Sequence, residues 1–189
     1  EDPRILKARK FLLAYDRIPE NFNVSEAFTL LDSANVIFRS MPDYKSSFET
    51  GIIYNNKCST LLLKAIYDTT INESEKSMLL HFSLKYCDSS ISAYKKWIGE
   101  WDQLTPGEVA GKLNSFIKKD DPAFYGYDFN KIFERRIKNI LMAQTETPRR
   151  LSVSLTNKGT IYRHLLKQDS ALLLYRESLS VWRDNRTAK

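Results

Sequence analysis

Glycine and proline are scarce in this chain, with six of each in 189 residues. Tight hairpin turns and sandwich corners rely on those two residues, so a turn-rich β protein fits poorly, and long helices with short connections fit well. Histidine is scarcer still: His81 and His164 are the only two. They leave little material for a histidine metal site or a Ser-His-Asp triad. A Gly-rich phosphate loop, a His-Glu-x-x-His pair and a Cys-x-x-Cys pair are all missing. No stretch approaches the ~18–20 uninterrupted apolar residues that a membrane span needs. The acidic neighbours Glu73/Glu75, Glu100/Asp102 and Asp120/Asp121 each have a capping or surface explanation. The expectation is a protein with no enzymatic activity, no cofactor and no metal.

Two cysteines, Cys58 and Cys87, sit in helical, apolar surroundings and read as buried structural thiols. A Cys58–Cys87 disulfide stays open as the alternative, because sequence does not place Cα atoms. The chain begins Glu-Asp-Pro rather than at Met. That predicts an upstream segment, whether a removed signal peptide, a lipoprotein leader or a disordered tail, and gives a lean toward a bacterial extracytoplasmic protein, with the cytoplasm as the other reading.

Charge is unevenly spread. Residues 112–189 carry 16 Lys and Arg against 8 Asp and Glu, a net of +8, and residues 1–111 carry 13 against 15, a net of −2. Such asymmetry marks a surface for acidic partners, nucleic acid or anionic lipid, or simply a set of solvated basic helix faces.

Read in order, residues 2–15 form a short amphipathic helix, followed by a connector over Ile18–Val24 in which Pro19 favours extended geometry. Asn23 with Glu26 makes a capping-box start for a helix that stops at Ser40-Met-Pro-Asp. A second helix is expected from Asp43 or Tyr44 to about Asn55, and a further one over Thr60–Tyr67. Asn72 with Glu75 is another start, and residues 73–101 run as one helix or two. Their stripe of Leu79, Phe82, Tyr86, Ile91, Tyr94, Trp97 and Ile98 reads as core. Thr105-Pro-Gly-Glu108 opens a helix expected to end at Lys118-Lys119. The loop Asp120–Asp128 is rich in aromatics, with Phe124, Tyr125 and Tyr127 in it and Phe129 just after, and it is the loop to watch for function. Asp128 caps a helix to about Thr145, whose polar face is expected to show a basic ridge of Lys131, Arg135, Arg136 and Lys138. Thr145-Glu-Thr-Pro148 is expected to break it.

The most specific pattern lies in residues 152–183. Gly159, Tyr162, Ala171 and Tyr175 fall where two closely crossing antiparallel helices need a small residue, an aromatic, a small residue and an aromatic. Ser178 keeps a further small position, whereas Lys158 and Arg183 stand where Leu and Pro are usual. The stretch resembles one tetratricopeptide (TPR) repeat. Gly51-Ile-Ile-Tyr54 is a fainter echo of Gly159-Thr-Ile-Tyr162, with Tyr67 sixteen residues after Gly51 as Tyr175 follows Gly159, which suggests a second unit over about 44–70.

The resemblance implies an all-α fold, a single domain of antiparallel helix pairs stacked as a TPR-like right-handed array. It also implies a non-catalytic role as a scaffold that binds a protein or peptide in the groove lined by first helices. The Lys and Asn clamp that some family members close on a terminal carboxylate does not carry over, since its positions hold Thr156 and Thr160, or Phe48 and Ile52. Asn157 alone stands where a clamp Asn occurs. The candidate partner-binding residues are therefore Asn157 with the basic Lys131, Arg135, Arg136, Lys138, Arg149 and Arg150. Nucleic-acid binding through the basic positions is the alternative function. A ligand site around Phe124–Phe129 is a third reading.

Overall fold

Local capping chemistry sets most of the helix starts. In the computed structural model, which describes residues 1–18, 23–44 and 48–187, seven α-helices follow one another. They are α1 (Pro3–Tyr15), α2 (Val24–Ser40), α3 (Phe48–Tyr67), α4 (Glu73–Trp101), α5 (Pro106–Asn114), α6 (Phe129–His164) and α7 (Gln168–Thr187). Short 3-10 turns occupy Pro42–Tyr44 and Pro122–Phe124, and no strand occurs among the described residues. The fold is all-α. The Asn23 side chain accepts from the Glu26 amide at 3.1 Å and donates to its carboxylate at 2.9 Å. Asn72 accepts from the Glu75 amide at 2.9 Å. Thr105 and Glu108 close a full capping box, and Asp128 accepts from the Asn130 and Lys131 amides. Each cap satisfies helix N–H groups that have no intrahelical partner.

Residues 73–101 form one helix, and three expected boundaries move. Helix α5 ends at Asn114, not at Lys118-Lys119. Val109 and Leu113 finish its buried face against Trp97 and Trp101, and Ser115 and Phe116 bond back three residues to close the last turn. Residues 48–67 form one helix, not two. The buried face runs unbroken through Gly51, Ile53, Cys58, Leu61 and Ala65, and the Asn56 carbonyl is bonded within the helix by the Thr60 hydroxyl. The connector residues 19–22, and residues 45–47 at the expected second-helix start, lie outside the described residues.

The third change is the largest. Helix α6 continues through Pro148 for 36 residues, so Thr145–Pro148 does not break it. An interior proline removes one hydrogen bond and costs ~3 kcal/mol relative to Ala. Here packing offsets that cost. Ala143, Thr147 and Leu151 are buried around the proline, and the Thr147 hydroxyl donates to the Ala143 carbonyl at 2.7 Å. The Gln144 side chain ties the same turn to the carbonyls of Trp101 and Leu104, both at 2.8 Å.

The helices pack as a row: α1 on α2, α2 on α3, α3 on α4, α4 on α6 and α6 on α7, with α6 also reaching α3 and α5 set against α6. Two of these contacts share one device. A Cβ on Gly51 of α3 would lie 2.3 Å from Tyr94 of α4, and a Cβ on Gly159 of α6 would lie 2.6 Å from Tyr175 of α7. In each pair a tyrosine ring occupies the space that a side chain on the first helix would need. A small residue, Ser90 or Ala171, stands one turn before each tyrosine, and both are buried. The partner of Gly51 is therefore Tyr94 and not Tyr67, which lies on the same helix as Gly51 and is 63% exposed.

Both cysteines are free and buried. The Cys87 thiol donates to the Ser154 carbonyl at 3.0 Å, and the Cys58 sulfur lies 3.4 Å from the Ser83 hydroxyl. A hydrogen bond with Cys58 and then burial push the Cys87 thiol well above the ordinary range.

Candidate functional site

Asp2 caps α1 by accepting from the Arg4 amide at 2.8 Å, and that cap fixes the Arg4 side chain beside it. The Arg4 guanidinium reaches Asp2 at 2.9 Å and Asp121 at 3.3 Å, and lies 5.2 Å over the Phe124 ring. The hydrogen bond to Asp2 is the main reason its pKa is raised. Asp121 in turn caps the 3-10 turn through the Ala123 amide at 2.9 Å. The Glu1 carboxylate accepts from Arg9 and from the Asn139 side chain at 3.2 Å. These bonds fasten the start of α1 to the loop before α6 and to α6 itself.

They enclose a cleft of about 340 Å³. Its walls come from the start of α1, the turn after α2, the segment after α5 and the early turns of α6. Ile5, Met41, Tyr44, Phe124 and Ile132 give it a buried apolar floor. Tyr44 stacks on Phe38 at 5.3 Å, and Phe124 meets Phe129 edge-on at 5.6 Å. The aromatic loop singled out in the sequence thus packs inward at Phe124 and forms one wall, while Tyr125 and Tyr127 face solvent.

Arg136 lies in this floor. It is buried, with its guanidinium carbon 3.5 Å from the centre of the Tyr44 ring, a cation–π contact in a poorly solvated place. It does not belong to an exposed ridge as expected. Its position on α6 faces the turn that follows α2, one residue round from Arg135.

The other candidates separate in space. Lys131, Arg135, Lys138 and Arg149 are exposed on α6, and of these only Arg135 lines the cleft. Lys131 lies 3.7 Å from Asp128, and Arg149 lies 3.5 Å from Glu146 and over the Trp182 ring at 5.8 Å. Arg150 turns inward beside the Tyr94 hydroxyl, whose pKa is raised by burial and partly restored by this arginine. Asn157 donates to Asn55 at 3.1 Å and to Ser59 at 3.2 Å. It sits in a polar seam between α3 and α6 that also joins Ser154 to Asn55 and to Ser90. Arg135 and Arg136 are the two sequence candidates that meet in the cleft.

Sequence reasoning missed Arg4, Tyr44 and Lys118 as cleft residues. The aromatic loop was the one signal pointing there. Among the described residues no His, Cys, Asp and Glu cluster is arranged to hold a metal ion, and no helix of the described residues is long and apolar enough to cross a membrane. Compared with protein-family models, curated proteins and solved structures, the chain matches none.

Proposed function

We propose that the chain is a non-catalytic interaction module, a TPR-like right-handed array of antiparallel helix pairs that holds a peptide or a segment of a partner protein. The observation that carries this reading is the recurrence of one interlock, Gly51 under Tyr94 and Gly159 under Tyr175. A glycine inside a helix costs ~1 kcal/mol relative to Ala, so two such glycines under tyrosines argue for a repeated close crossing. Stacked pairs of this type build extended surfaces for binding, and the cleft at the α1 end gives such a surface a seat. An array of immobilised peptides is expected to yield a discrete set of binders whose affinity drops on substitution of cleft residues. A folded protein that binds none of them, and retains no partner in a pulldown, removes the reading.

A second reading rests on Lys131, Arg135, Lys138 and Arg149, which are exposed along one stripe of α6. Such a stripe suits a nucleic-acid backbone, with affinity falling steeply as salt rises. A gel shift at low ionic strength is expected to show retardation on this reading, and unretarded nucleic acid eliminates it.

A further inference from the structure

We infer that the cleft takes a short acidic peptide segment in which a carboxylate stands next to a large apolar side chain. This rests on the interaction-module reading above and adds the chemistry of the partner.

The sign of the partner follows from which charges the protein already uses. Among the described residues four carboxylates line the cleft. Asp2 and Asp121 are bound by Arg4, and Glu1 is bound by Arg9 and Asn139. Asp120 alone forms no ion pair among the described residues. Four cations among the described residues line it too. Arg4 is held by its two aspartates and Arg136 is stacked on Tyr44, whereas Lys118 and Arg135 form no ion pair among the described residues. Among the described residues the charge left over for a ligand is therefore positive, Lys118 and Arg135 against Asp120.

The apolar part of the partner follows from the floor. Ile5, Met41, Phe124 and Ile132 line the same cleft as the two cations and offer it carbon surface. An entering Phe or Leu would cover that surface, and its neighbouring carboxylate would meet Arg135, whose planar fork suits a carboxylate. The volume, about 340 Å³, lies at the small end of the ~300–1,000 Å³ range of ligand pockets. It suits a few side chains and not a long helix. A basic segment would face Lys118 and Arg135 with only Asp120 to answer it, and repulsion of that sort is an effective source of discrimination.

The test uses fluorescence anisotropy on the full chain with three labelled peptides of one length. The first alternates Asp with Phe and Leu, the second has Lys for every Asp, and the third has Asn. The variants are Lys118→Glu, Arg135→Glu, both together, and Arg176→Glu as an exposed control on α7 outside the cleft. All substitutions are at exposed positions, and thermal unfolding checks that each variant folds. The Asp peptide is expected to bind wild type more tightly than the Asn peptide, and the Lys peptide least. The double variant is expected to weaken the Asp peptide ~10-fold or more and to bind the Lys peptide better than wild type does, while Arg176→Glu stays within ~2-fold of wild type. Equal binding of Asp and Lys peptides, or equal loss in Arg135→Glu and Arg176→Glu, overturns the inference but leaves a peptide-binding module standing. Absence of binding by all three peptides overturns the inference as well, and the unbiased peptide array then decides the module reading separately.

Discussion

The α3/α4 pair and the α6/α7 pair use the same interlock in different surroundings. Tyr94 is 1% exposed and lies between α3 and α4 with Arg150 of α6 beside its hydroxyl. Ser90, one turn away, donates to the Gly51 carbonyl at 2.9 Å and meets the Ser154 hydroxyl at the same distance. Tyr175 is only half-buried, its hydroxyl 3.2 Å from that of Thr160. Beyond it α7 exposes Leu172, Leu173, Leu179 and Trp182 to solvent. The difference teaches that the fit of glycine to ring defines the crossing, while the helices around the ring decide how much stability depends on it.

The largest effect should come from removing the rings. Tyr94→Ala is expected to lower unfolding stability by ~3–5 kcal/mol, as for other fully buried aromatics cut to Ala. Tyr175→Ala should cost about 1–2 kcal/mol, because a half-exposed ring gives up less apolar area. Chemical denaturation with far-UV circular dichroism reads both, and equal losses would break the contrast between the pairs.

Filling the glycines should follow the same order with smaller values. Gly51→Ala places a methyl group against a ring that has no free space to move into, and overpacking of this kind costs ~1–3 kcal/mol. Gly159→Ala meets a ring with solvent beside it, so the strain is relieved by a swing of Tyr175 and largely cancelled by the ~1 kcal/mol gain in helix propensity. The comparison is sharpened if the melting temperature falls in the first variant and stays near wild type in the second.

The turns that join the pairs differ as well. Between α3 and α4, the Asp68 carboxylate accepts from the Thr70 amide at 3.0 Å and from its hydroxyl at 2.6 Å. Between α6 and α7, Lys167 bonds back to the Tyr162 carbonyl and Leu166 to that of Arg163, a Schellman closure with Leu166 at φ 59°. Glycine is the usual residue there, and Leu166 is 85% exposed, so it gains no burial in return. Leu166→Gly should stabilise the protein by roughly 0.5–1 kcal/mol, the relieved strain less the added chain entropy. A loss of stability would show that the leucine makes a contact that outweighs its backbone strain.

What could be read from sequence was what a few neighbouring residues determine. Caps at Asn23, Asn72, Thr105 and Asp128 act over three residues, and all four appear as expected. The Gly159–Tyr175 unit was legible because a turn of a few residues separates its helices. The Gly51 interlock was not, since its tyrosine is 43 residues away and not sixteen, across a longer helix pair. Pro148 reads locally as a break, and only packing on both sides of α6 reverses that. The cleft was the least legible of all. It joins residues 1–5, 41–44, 116–124 and 132–139, and its neutralised acids depend on side-chain bonds between those distant segments. Arg135 and Arg136 are adjacent in sequence, yet only the helix rotation separates an exposed cation from a buried one.

Native-state hydrogen exchange on Tyr175→Ala tests the repeat architecture most directly. In a quasi-linear array each unit depends mainly on its neighbours. The amides of α7 and of the last turns of α6 should exchange faster than in wild type, while those of α3 and the central turns of α4 keep their protection. A uniform loss of protection across α3, α4, α6 and α7 would mean that the pairs do not act as separate units, and would contradict the account.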